Sequence, residues 1–179
     1  MAKFSAFSAL LLLAARVVSA TGLPEVIPGP GLPSLESLNL TSEALHAMGP
    51  IEIPADYHVT EVKPMSKRHN PTPPACFYYG GELIDRATVL SCVNFLFALG
   101  TTRCTVSNGA PNAQWCNAGN VALYGLNWHN LPMVSSYCID VAIAAQWVYN
   151  NCNYDNSNQW GGWAYENGND DIIANVIKA

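Results

Sequence analysis

Two stretches of the chain carry apolar residues at three- and four-residue spacing, the period of a helix with one buried side. In residues 85–102 the stripe is Val89, Cys92, Val93, Leu96 and Leu99, with Asp85 placed to cap the start and Gly100 to stop the end. In residues 135–152 it is Cys138, Val141, Ala142, Ala145, Val148 and Cys152, with Ser135 or Ser136 as the expected cap. Both stripes contain cysteines, so both helices are expected to carry sulfurs on their buried faces. The other apolar runs are short and read as strands: 76–81, 101–106, 120–128, 161–166 and 171–179. "SNGAPNAQ" (107–114) reads as turn, and "NGND" (167–170) as the turn of a closing hairpin. The last strand is apolar on both faces, through Ile172, Ala174 and Val176 against Ile173 and Ile177, which predicts a central place in its sheet. The predicted fold class is α+β. The order β-α-β-β-α-β makes a small split βαβ sandwich, an antiparallel sheet with two helices on one face.

The N-terminal third follows a different pattern. Residues 1–20 have Lys3, the apolar run "FSAFSALLLLAA" and the small residues Val18-Ser19-Ala20, the three regions of a secretory signal peptide. The run is shorter than the roughly 20 apolar residues a bilayer span needs, and no later segment is apolar enough, so an exported protein without a membrane span is expected. Residues 21–68 hold seven of the twelve prolines, six acidic residues and no cysteine or tryptophan. "LPEVIPGPGLPS" is expected to be extended and to pack poorly, while residues 34–48 can form a short helix with Leu35, Leu38, Leu45 and Met48 on one side. Asn39-Leu40-Thr41 is an N-glycosylation acceptor. Lys67-Arg68, the one adjacent basic pair, stands at the composition boundary before "HNPTPPAC", where an accessible strand suits a processing protease of the secretory pathway. The predicted organisation is a signal peptide (1–20), a Pro-rich acidic propeptide (21–68) and a mature domain (69–179).

Export changes the meaning of the cysteines. Cys76, Cys92, Cys104, Cys116, Cys138 and Cys152 imply three disulfides, with 15 pairings open. Their spacings, 15, 11, 11, 21 and 13 intervening residues, lack the close pairs of a zinc site. The predicted mature segment carries three basic against seven acidic side chains, a formal charge of −4, together with all five tryptophans. Without clustered Lys and Arg there is no footprint for nucleic acid or an anionic membrane.

Candidate chemistry is sparse. His129 lies in the loop "NWHNLP" with no accompanying catalytic motif. Glu166, Asp170 and Asp171 cluster about the final turn, where a solvated hairpin suits them better than a carboxylate pair held across a cleft or a cation site. Neither a catalytic set nor a metal or cofactor is expected. The aromatic segment "QWGGWAYEN" is more suggestive. Trp160, Trp163 and Tyr165 sit beside two glycines taken as flexible, and strand alternation puts Trp163 and Tyr165 on one face. Core packing is the competing explanation for these rings. As a surface they form a recognition patch for sugar rings or a protein partner.

Three segments, "SCVNFLFALGTTRCTV", "SSYCIDVAIAAQWVYNNC" and "GGWAYENGNDDIIANVI", combine with the signal and the dibasic site into a further pattern. The chain resembles small secreted cysteine-rich fungal proteins, namely the virally encoded killer toxins of smut fungi and the necrosis-inducing effectors of plant-pathogenic fungi. The resemblance implies a non-enzymatic virulence effector or killer-type toxin acting on an unidentified host or competitor cell-surface target. The alternatives are a cell-wall glycan-binding module that uses the Trp-rich hairpin, and a small secreted hydrolase working through Glu166 and Asp171.

Overall fold

A computed structural model of the chain describes residues 22–53, 73–78, 82–107, 109, 112–166 and 169–179. The expected signal peptide, Lys67 and Arg68 lie outside the described residues. The predicted α+β class is present, and the two predicted helices form. Helix α2 (Arg86–Ala98) follows the short strand β3 (Ile84–Asp85); Asp85 Oδ1 accepts the Thr88 N–H at 2.7 Å as the cap, and Gly100 takes the left-handed φ of +53° after the helix. Helix α3 (Cys138–Asn151) starts later than expected. Ser135 and Ser136 belong to strand β7 (Met133–Tyr137), which pairs with β4 (Arg103–Ser107). Tyr137 takes the cap position without a side-chain bond. A serine cap is unnecessary because Cys138 and Ile139 donate their N–H groups to the carbonyls of Thr102 and Gly100 (2.9 and 3.0 Å), just past the end of α2.

The main sheet has six strands in the order β1-β5-β6-β10-β9-β2, all antiparallel. These are β1 (Val26–Pro28), β5 (Asn112–Ala118), β6 (Val121–Asn127), β10 (Asn169–Lys178), β9 (Gly162–Glu166) and β2 (Ala75–Cys76); β8 (Asn158–Gln159) pairs with β3 apart from them. Strand β10 lies inside the sheet between β6 and β9, as its two apolar faces predict. Strand β5 replaces part of the turn expected at 107–114. Its register shifts between Gln114 and Cys116, and this bulge turns Trp115 into the core, where a Cβ on Gly125 would strike its ring.

One face of the sheet presents Val121, Leu123, Ile172, Ala174, Val176 and Ala164 to α2 and α3, and all of these join one core with Val89, Cys92, Val93, Leu96, Val141, Ala142, Ala145 and Val148. Cys92–Cys116 ties α2 to β5, Cys104–Cys138 ties β4 to the start of α3, and Cys76–Cys152 ties β2 to its end. Among the described residues no helix is long and apolar enough to cross a membrane.

"LPEVIPGPGLPS", expected to pack poorly, is ordered against this domain, as are the residues that follow it to Ile53. Val26, Ile27 and Pro28 pair with Ala118, Asn117 and Cys116 of β5. A 3-10 turn (Glu36–Leu38) and helix α1 (Ser42–Ala47) replace the single helix foreseen, split at Asn39, whose φ is +54°. Thr41 caps α1 by accepting the Ala44 N–H. Val26 and Leu45 are fully buried, and Leu32, Leu35, Leu38, Leu40 and Ile51 pack on the core. Proline and glycine keep this stretch from folding on its own, but the open edge of β5 and the side of α2 supply the partners it lacks.

Candidate functional site

The face of the sheet turned away from the helices carries the aromatic residues. Alternation along β9 leaves Trp163 and Tyr165 half-buried on that side, while Gly162, Ala164 and Glu166 point to the core. The register builds a row across the sheet from Trp163 to Asn175 to Tyr124 to Gln114, and a second from Tyr165 to Ile173 to Leu126. Tyr124 donates its hydroxyl proton to Gln114 Oε1 at 3.1 Å. Trp128, just beyond β6 and 50% exposed, meets Tyr165 edge to face, with centroids 6.5 Å apart. Tyr165 meets Trp163 the same way at 5.5 Å. Such T-shaped contacts hold rings in fixed orientations and leave other faces open. The result is a chain of three rings, Trp128–Tyr165–Trp163, with Asn175 beside Trp163 on the next strand and the bonded pair Tyr124–Gln114 beyond it. Asn175 Oδ1 is shielded and accepts no hydrogen bond among the described residues.

Trp160, which the sequence grouped with Trp163 and Tyr165, belongs to a different cluster. It packs edge to face with Tyr154 (5.5 Å) and Tyr78 (6.5 Å) beside the Cys76–Cys152 bridge, and its backbone N–H donates to Cys152 O. Nearby, Pro74, Ala75, Cys76, Tyr78, Trp147 and Asn151 line an open groove of about 440 Å³. The glycines between the two clusters are there for contact, not for flexibility. A Cβ on Gly162 would lie 2.7 Å from Ala75 O and 2.9 Å from Cys152 Sγ, and one on Gly161 would lie 2.7 Å from Val176 O. Neither glycine has a positive φ.

The carboxylates do not converge. Glu166 is buried on the helix side of the sheet, whereas Asp171 sits on the outer side, with its Oδ1 2.9 Å from His129 Nδ1. The side chain of Asp170 lies outside the described residues. Among those described, no group of three or more His, Cys, Asp and Glu is placed to hold a metal ion. Asp155 has its carboxyl held below the usual carboxylate range by the Ser157 N–H and then by bonds from Asn158, in a turn leading into β8. Asn39, in the predicted glycosylation motif, is exposed.

The sequence indicated Trp163 and Tyr165 but missed Trp128, Tyr124 and Asn175. Tyr124 lies in the predicted strand 120–128, and only the sheet order brings these strands together.

A family profile described as Domain of unknown function (DUF8794) matches residues 75–178. No curated protein and no solved structure matches the chain.

Proposed function

The chain belongs to the DUF8794 family, and from the geometry of its sheet we propose that it is an exported, non-enzymatic binding protein whose outer sheet face engages sugar rings of a cell-wall polysaccharide. The observation that carries this reading is the ring series Trp128–Tyr165–Trp163 with Asn175 beside it. An exposed ring on a rigid sheet stacks on the apolar face of a sugar, and a polar side chain beside it, here Asn175, fixes the orientation of that sugar. The rigidity comes from the three disulfides and the close-packed glycines, which suits a protein working outside the cell. The experiment is a pull-down of the disulfide-intact chain on insoluble chitin and β-glucan. Retention on one of them, lost in Trp163→Ala with the fold intact, is expected; equal retention of wild type and variant, or none, sinks the reading.

A second reading, a virulence effector or killer-type toxin freed by dibasic cleavage, is favoured by the packing of residues 22–53 on the family domain upstream of Lys67-Arg68. Purified, cleaved protein that leaves host and competitor cells unaffected would count against it.

A further inference from the structure

Residues 22–53 stand outside the matched domain at 75–178 and contribute no cysteine, yet the domain holds them with groups that read a polypeptide backbone. Three polar features anchor the contact. The first is the edge of β5. It pairs with Val26, Ile27 and Pro28 and continues into a bond from Gly29 N to Trp115 O at 2.9 Å. At this point the two backbones come so close that any Cβ on residue 29 would run into the carbonyl of Gln114. The second is Asn94 of α2, 3% exposed, whose Nδ2 donates to Leu45 O at 3.1 Å and reaches Met48 O at 3.4 Å. The third is Gln146 of α3, 6% exposed, whose Oε1 accepts from Ile51 N at 2.7 Å while its Nε2 donates to Ile51 O at 2.9 Å. A buried side-chain amide needs hydrogen-bond partners. Here two are bonded to the backbone of a segment that the family domain does not include. Between these polar anchors, Val26 and Leu45 fill apolar positions.

We propose that the cleft bounded by the β5 edge, α2 and α3 is a peptide-binding site of this domain, and that residues 22–53 are its occupant in cis. The ligand class is an apolar polypeptide whose first residues add an antiparallel edge strand, with glycine where it passes Gln114, and whose later residues form a short helix against α2. Joined to the domain, the segment is present at a high effective concentration and stays seated. Cutting at Lys67-Arg68 makes it a separate ligand that must meet the full cost of association, so it becomes exchangeable. The site lies at the opposite edge of the six-stranded sheet from β9 and β2, so it stands or falls independently of the aromatic face.

The test uses the disulfide-bonded chain, uncut or cut at Lys67-Arg68 by a dibasic-specific protease, and a fluorescent peptide of residues 22–53. The cut protein is expected to take up the peptide saturably, by anisotropy, and the uncut protein to take up at least tenfold less. A peptide carrying Gly29→Val is expected to bind at least tenfold more weakly, which leaves the protein itself unaltered. Gln146→Leu in the protein is expected to weaken uptake to a similar extent with the near-ultraviolet dichroism retained. Three results overturn the proposal: no uptake by the cut protein, equal binding of the Gly29→Val peptide, or loss of native dichroism as the segment leaves.

Discussion

The side-chain amide of Gln146 is bonded at both its oxygen and its nitrogen to the backbone of Ile51, 95 residues earlier in the chain. This geometry copies a strand ladder with a single side chain, and it fastens the end of the N-terminal segment to α3. Replacing Gln146 with Leu leaves both backbone groups of Ile51 without these partners. A loss of about 1–3 kcal/mol is expected, read as a lower urea midpoint of the full chain, together with faster hydrogen exchange at the Ile51 amide.

The disulfides close loops of different size, with sequence separations of 76, 34 and 24 for Cys76–Cys152, Cys104–Cys138 and Cys92–Cys116. If they act chiefly by restricting the unfolded chain, each contributes about 2–4 kcal/mol, and the longest loop exceeds the shortest by about 1 kcal/mol. Paired Cys→Ala variants measured by denaturant unfolding should rank in that order.

Gly162 distinguishes contact from flexibility. If its role were freedom of motion, Gly162→Ala would stabilise the chain by roughly 0.4–1 kcal/mol. Because a Cβ there meets Ala75 O and the Cys152 sulfur, the expected outcome is a loss of about 1–3 kcal/mol. Thermal unfolding gives the sign directly.

Asp155 should titrate below an ordinary aspartate, because the N–H of Ser157 and the groups of Asn158 favour its charged form. A folded-state pKa depressed in this way contributes stability that is present above the unfolded pKa and lost as the pH falls through the folded one. Amide shifts of Ser157 and Asn158 followed by NMR should share a midpoint below the usual aspartate value, and Asp155→Asn should abolish that transition.

Much of this architecture was legible in local patterns. The 3.6-residue stripe through Val89, Val93 and Leu96 marked α2, Asp85 marked its start, and the two-sided apolar run of Ile172 to Ile177 located the central strand. Features that depend on distant partners were not legible. Ser135 and Ser136 resemble caps until β4 is seen to pair with them. Asn112 to Gln114 resemble a turn until β6 draws them into the sheet and the bulge sends Trp115 inward. "LPEVIPGPGLPS" has no periodicity of its own, and its order comes from the edge of β5. At the candidate site, strand alternation placed Trp163 and Tyr165 together. Trp160 is set apart by the glycine pair that follows it, whose close packing against Ala75, Cys152 and Val176 depends on partners distant in the chain.

The most direct measurement of sugar recognition by the outer face is an NMR titration of the indole N–H signals with soluble chitin and β-glucan oligosaccharides. With one of the two, the Trp128 and Trp163 signals should shift saturably while that of buried Trp115 stays fixed, and Trp163→Ala should weaken binding roughly thirtyfold, the ~2 kcal/mol typical of a hot-spot aromatic. If neither oligosaccharide moves the Trp128 and Trp163 signals at millimolar concentration, the outer face is not a sugar-binding surface.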